Sequence, residues 1–171
     1  MLIKPATDNR DDIIDKNGIV STEVRSRIGL SAKALAVSAL DCLVSLYIKE
    51  REKNRVDVII CDECQFLTEK QVDELKDIAD LYDVPVLCFG LRADFRTKLF
   101  SGSKRLFEIA DSISEIKSIC RCGRKATVNA RLDADGKIEI LGEQVCIGGN
   151  ERYVGMCYRC YREQIRKQEL S

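Results

Sequence analysis

The sequence contains no histidine. That excludes Ser-His and Cys-His catalytic pairs and any imidazole-liganded metal. A general base near neutral pH has therefore to be a carboxylate, and a protein metal site has to use Cys, Asp or Glu. Net charge is lacking too, since 28 Lys and Arg balance 28 Asp and Glu. General nucleic-acid binders and membrane-surface binders usually carry a basic excess, so the balance argues against both as partners. No apolar run approaches the roughly 18 residues that span a bilayer, and the N-terminus does not read as a signal peptide. The expected compartment is the cytoplasm.

What is present suits one domain with a small appendage: 171 residues, 45% of them apolar. Nine cysteines are many for that length, and an odd count without a secretory signal argues against a disulfide framework. Cys120, Cys122, Cys157 and Cys160 form two close pairs late in the chain. Cys42, Cys61, Cys64, Cys88 and Cys146 sit mostly in apolar runs, where a free thiol behaves as a small hydrophobe.

Hydrophobic periodicity organises the chain into an α/β pattern. Residues 1–4 read as the tail of a buried strand and 5–18 as a polar loop. Ser31 is expected to cap a helix running to about Lys53, with Leu35, Val37, Leu40, Leu43 and Val44 among its apolar positions. Val56–Cys61 reads as a central parallel strand buried on both faces and ending in Asp62-Glu63. Thr68 and Gln71 form a capping box for a helix carrying Val72, Leu75, Ile78, Ala79 and Tyr82, and Val84–Leu91 is another buried strand. Strand, helix, strand at this spacing predicts a βαβ unit and a parallel core sheet. Beyond it, Ser112–Ile119 alternates like a strand. Ala126–Leu132 and Lys137–Leu141 flank Asp135-Gly136, a hairpin signal. The expected division is 1–117 as α/β core, 118–163 as a small β-rich subdomain and 164–171 as a C-terminal tail.

Two features carry chemistry. Cys120-Arg-Cys122-Gly and Cys157-Tyr-Arg-Cys160, on either side of a hairpin, have ribbon-type metal spacing; each tight turn offers two thiolates to a tetrahedral zinc. Arg121, Arg124 and Arg159 beside them speak against four plain buried thiols. Four sulfurs leave no position for water, so such a zinc is structural, although a nucleic-acid-binding ribbon stays open. Asp62-Glu63 ends a strand at the place where parallel sheets bind ligands, and these acids suit Mg²⁺ support and proton abstraction. Taken alone, the pair is a weak signal that reads more readily as a solvated strand end or as helix-capping acids.

Several motifs in order resemble the type II thymidine kinases. Asp62-Glu63-Cys64-Gln65-Phe66-Leu67 is similar to that family's Asp-Glu-x-Gln-Phe signature. Cys88-Phe89-Gly90-Leu91-Arg92-Ala93-Asp94-Phe95-Arg96 resembles its next strand and loop. Cys120–Ala126 resembles the first zinc knuckle, Ile147–Tyr153 with Cys157 the thymidine-binding lasso and second knuckle, and Lys4–Arg10 the segment after the family's second strand. The resemblance runs from residue 2 to about 163. It implies a P-loop-NTPase-like core with a zinc-ribbon subdomain, acting as an ATP-dependent kinase that phosphorylates the 5′-hydroxyl of thymidine for deoxynucleoside salvage and DNA synthesis, usually as a homotetramer.

By that resemblance Glu63 is the general base, Asp62 acts on the Mg²⁺ of Mg-ATP, and Arg10 and Arg27 are candidates for the phosphate region. Phe66, Leu91 and Phe95 line the thymine pocket; Tyr153 and the backbone of Gln144, Val145, Cys146, Ile147 and Gly148 hold the base. Cys120, Cys122, Cys157 and Cys160 bind structural zinc. One departure is large: no G-x-x-x-x-G-K-[ST] phosphate-binding loop occurs in residues 1–171. On that ground the chain as given is expected to lack phosphoryl transfer. A non-catalytic zinc-ribbon protein that binds nucleosides or nucleic acid is the alternative.

Overall fold

The strand that opens the chain, β1 (Leu2–Pro5), lies inside a six-stranded sheet. The computed structural model describes residues 1–7, 12–14, 20–26, 28–145 and 152–170, and for 12–14, 20 and 21 the backbone alone. After β1 come β2 (Asp12–Ile14), β3 (Val20–Arg25), β4 (Ser31–Val37), helix α1 (Leu43–Lys53), β5 (Ile59–Cys61), a single 3₁₀ turn (Cys64–Phe66), α2 (Glu69–Tyr82), β6 (Val86–Cys88) and α3 (Ser101–Ile109). The sheet order is β2-β3-β4-β1-β5-β6. Strands β4, β1, β5 and β6 run parallel, with Ile3 opposite both Leu35 and Cys61, and Cys61 opposite Cys88. Strands β2, β3 and β4 pair antiparallel, so the sheet is mixed rather than wholly parallel.

The expected helix from Ser31 to Lys53 is the main local correction. Its first part is β4, and the helix starts only at Leu43. The Ala-rich 31–37 stretch has good helix propensity, but both its edges are taken by β3 and β1, and tertiary pairing overrides propensity. Leu40, counted on the helix face, is 98% exposed in the turn between them. Cys42 gives α1 no side-chain cap; instead Glu74 of α2 accepts from the Leu43 N–H at 2.7 Å.

Helix α2 starts as the sequence predicts. Thr68 accepts from the Gln71 N–H, and the Gln71 side chain accepts from the Thr68 N–H, both at 3.1 Å. Its Val72, Leu75 and Ile78 pack with Ile3, Val37, Leu43, Tyr47, Ile59, Cys61, Leu67 and Val84 into the main core. Burying each such aliphatic contributes about 1.5–3 kcal/mol, which fixes the sheet that delivers Asp62-Glu63.

By its internal contacts the chain divides into two units, Met1–Arg92 with Phe100–Asp111, and Ala93–Leu99 with Ser112–Ser171. The second contains β7 (Ser118–Ile119), β8 (Lys125–Ala126), β9 (Val128–Arg131), β10 (Tyr153–Met156) and α4 (Tyr158–Glu169). The alternating segment 112–119 forms strand only at its last two residues; Ile113 and Ile116 stay exposed. The turn at Asp135-Gly136 is present, with Gly136 at φ 76° and a bridge between Leu132 and Ile138. The full partner of β9 is β10, paired from Val128–Met156 to Arg131–Tyr153. Helix α4 continues through the segment expected as a tail, and its Ile165 packs with Tyr161, Val128, Ala130 and Ile138.

Candidate active site and metal centre

In the first unit the backbone places the two acids differently. The Asp62 N–H donates to the Ile3 carbonyl at 3.0 Å, so Asp62 still belongs to the β1–β5 ladder. Glu63 then leaves the sheet in the left-handed region, φ 52° and ψ 36°. For a non-glycine residue that conformation costs on the order of 1–3 kcal/mol and persists where its surroundings enforce it. The enforcement is visible. Asp62 Oδ1 accepts from the Glu63 N–H at 3.0 Å, and the Cys64 N–H reaches across to the Phe89 carbonyl at 2.9 Å.

Gln65, 1% exposed, holds the Glu63 side chain. Its Nε2 donates to Glu63 Oε2 at 2.6 Å, and its Oε1 accepts from the Leu91 N–H at 3.0 Å. With both ends of the amide engaged, its orientation is fixed. Gly90 leaves room for it: a Cβ there would lie 2.4 Å from Gln65 Oε1 and 2.7 Å from Cys64 Sγ. Gln65 stands in the Asp-Glu-x-Gln-Phe signature, which by itself assigns it no role. The available signal was an amide in an otherwise apolar, buried turn, where a polar group needs partners.

Phe66 packs edge-on against Phe100 at 5.7 Å, and Leu91 is 44% exposed, with its carbonyl held by the Ser103 hydroxyl at 2.6 Å. Lys4 is buried on β1, one step beyond the Ile3–Cys61 pair, at the same strand end as the acids. Hydrogen bonding to Cys88, and then burial, push the Cys61 and Cys64 thiols up; the same bonds, working against burial, hold the Cys88 thiol well below the ordinary value.

In the second unit the four predicted cysteines come together. Their sulfurs all lie within 4.8 Å of one another, and Cys122 Sγ is 3.6 Å from Cys157 Sγ. A tetrahedron with Zn–S bonds of about 2.3 Å places its sulfurs about 3.8 Å apart, so the donor set fits a metal such as zinc. Two local devices build the cluster. In the first knuckle the Cys120 N–H donates to the Arg124 carbonyl at 2.8 Å, closed by Gly123 at φ 81°. In the second, Cys157 caps α4, its Sγ accepting from the Cys160 N–H at 3.5 Å. Backbone N–H groups of Cys122 and Cys157 hold the Cys120 thiol down to about 6, while donation to Cys122 and Cys157 pushes Cys160 up to about 12.

Of the expected base-binding residues, this unit contains Phe95, Gln144, Val145 and Tyr153. Phe95 is 1% exposed, with the Arg131 guanidinium 3.7 Å from its ring centroid. Gln144 donates to the buried Asp94 carboxylate at 3.2 Å, Val145 is half-buried, and Tyr153 stands opposite Arg131 on the β9–β10 ladder. Arg10, Arg27, Cys146, Ile147 and Gly148 lie outside the described residues.

Comparison with known proteins decides the family. The family model described as "Thymidine kinase" matches residues 1–161. The chain belongs to the thymidine kinase family. It is 47% identical over 143 residues to a thymidine kinase of Shewanella oneidensis, covering 84% of this chain and 74% of that protein. It is 49% identical over 143 residues to the thymidine kinase of Yersinia pestis, covering 84% of this chain and 73% of the relative. To that of Escherichia coli K12 it is 46% identical over 149 residues, or 87% of this chain and 73% of the relative. No helix among the described residues is long and apolar enough to cross a membrane.

Proposed function

We propose that this thymidine kinase family member transfers the γ-phosphate of ATP to the 5′-hydroxyl of thymidine, with Glu63 as general base. The observation that carries the reading is the Glu63 carboxylate at the carboxyl end of β5, held at 2.6 Å by a buried amide and at φ 52° by its backbone. A base in that setting does not have to be reoriented during the reaction, and correct placement counts for much of what a general base contributes. Gln65 holds this carboxylate through Oε2, and the carboxylate takes the hydroxyl proton.

Asp62, fixed by the sheet, supports the Mg²⁺ that accompanies ATP, and Arg10 supplies positive charge to the phosphates. No G-x-x-x-x-G-K-[ST] pattern occurs in these 171 residues, so the phosphate side falls to Asp62 and Arg10, within a core that is P-loop-NTPase-like in this reading. Phe66 and Leu91 offer apolar surface to the thymine ring. Phe95, buried beneath its own unit's surface, serves as the floor of the base-binding end rather than as an exposed platform. Gln144, Val145, Cys146, Ile147, Gly148 and Tyr153 form the grip on the base. Backbone donors and acceptors suit that task, because a mismatched base leaves them unpaired.

Cys120, Cys122, Cys157 and Cys160 hold one structural zinc, and the working assembly is a cytoplasmic homotetramer. Calorimetric titration of the chain with thymidine and with cytidine tests the nucleoside reading. Saturable binding of thymidine, at least tenfold tighter than cytidine, is expected from base-edge recognition. Equal or absent binding of both would overturn it.

A further inference from the structure

Arg131 ends β9 with its side chain 5% exposed, and a cation so buried must be repaid by its contacts. Four groups meet it. Its guanidinium lies over the Phe95 ring at 3.7 Å. Its Nε donates to the Glu139 carboxylate, and its Nη1 donates to the Glu143 carbonyl at 3.0 Å. Tyr153 faces it across the β9–β10 ladder. Gly142, at φ 121°, passes so close that a Cβ would lie 2.7 Å from Arg131 Nη2. Three of these neighbours are residues to which a base-binding role falls, or stand next to one: Phe95, Tyr153, and Glu143 beside Gln144.

We propose that Arg131 is the positioning residue of the nucleoside-binding end, gathering Phe95, Tyr153 and the 142–144 segment around one planar guanidinium so that the chain enters the base-binding loop already in place. This rests on the nucleoside reading of the second unit. The chemistry suits arginine: its flat fork can stack on a ring and donate in-plane to a carboxylate and a carbonyl at once, which an ammonium cannot. Arg131 does not touch the reacting atoms. Its effect is on how firmly thymidine is held, through the segment that holds it. Burial opposes its charge, but Tyr153 and Glu139 outweigh that and keep its pKa above the ordinary arginine value.

The test is Arg131→Met, which keeps an apolar stem over Phe95 and removes the donors. Glu139 retains Arg152 as a partner in that variant, so no carboxylate is left unpaired. Amide hydrogen exchange over residues 139–145, measured without ligand, is expected to rise at least about tenfold, with zinc content unchanged. Thymidine binding is expected to weaken roughly tenfold to a hundredfold, the range set by a lost charge-assisted hydrogen bond. In the native gene product KM for thymidine rises while kcat and KM for ATP stay within a few-fold, a split that general destabilisation does not give. Gly142→Ala, with Arg131 intact, presses a Cβ on the same guanidinium and is expected to repeat the pattern if Arg131→Met fails to fold. Unchanged exchange and unchanged thymidine affinity in either folded variant overturns the proposal alone. A wild-type chain that binds no thymidine overturns the nucleoside reading and this proposal together.

Discussion

The Gln65 amide donates to Glu63 across 2.6 Å and, from its other end, accepts from the Leu91 N–H at 3.0 Å. The acid at the end of β5 is thereby tied to the chain leaving β6, and the tie predicts a division of effects. Gln65→Leu in the native gene product is expected to lower kcat about tenfold to a hundredfold, because a misplaced carboxylate is a poor base. Thymidine affinity should stay within about threefold, and stability should fall by roughly 1 kcal/mol through the orphaned Leu91 N–H. Gly90→Ala, which drives a Cβ into Gln65 Oε1, should act in the same direction. Steady-state kinetics beside a thermal melt checks both; a normal kcat in a stable Gln65→Leu protein would remove Gln65 from the account.

Metal removal should act on the second unit's small core. Only Val128, Ala130, Ile138, Tyr161 and Ile165 form its buried cluster among the described residues. So small a core gains much of its folding free energy from a bound metal, for which zinc in comparable sites supplies about 10–16 kcal/mol. Metal analysis should find about one zinc per chain, and Cys120→Ser or chelation should abolish it. Loss of zinc should open residues 118–145 to proteolysis while the α2 and β5 region stays protected. A metal-free second unit that resists protease would contradict the prediction.

Alkaline pH should weaken the same unit through Tyr161, whose buried hydroxyl donates to the Phe95 carbonyl at 3.0 Å. Burial first, and then the nearby Asp94 charge, raise its pKa. A raised folded value means that the neutral form is favoured by folding. The contribution is thus complete below the unfolded tyrosine value of about 10 and is lost as pH rises through the higher folded one. Tyr161→Phe should therefore cost about 1 kcal/mol at pH 7 and flatten the decline in stability above about pH 10. Denaturant midpoints measured from pH 7 to 11 decide this; parallel declines in both proteins would count against it.

Local signals were legible where one segment suffices. The Thr68–Gln71 capping box, the β5 run and its two acids, and the paired cysteines each declare themselves within a few residues. Non-local relations were not legible. Residues 31–37 read as helix because nothing within them announces that β1 and β3 occupy both their edges. Gln65 gains its role from Leu91, which lies beyond a whole helix, and Arg131 from Phe95 and Tyr153 on two other segments. Residues 112–117 show the reverse error: the alternation of Ser112–Ile119 becomes strand only at Ser118–Ile119, where β8 pairs with it.

The central claim is that Glu63 takes the proton from the thymidine hydroxyl, and Glu63→Gln measures it. The substitution keeps the shape at the end of β5 and removes the basic oxygen. Single-turnover phosphorylation of labelled thymidine by the native gene product should slow by about 10²–10⁴, the usual contribution of a general base. The thymidine dissociation constant, read in parallel, should change less than about threefold. A Glu63→Gln protein that phosphorylates thymidine within a few-fold of the unsubstituted rate would contradict the account and transfer the base role away from Glu63.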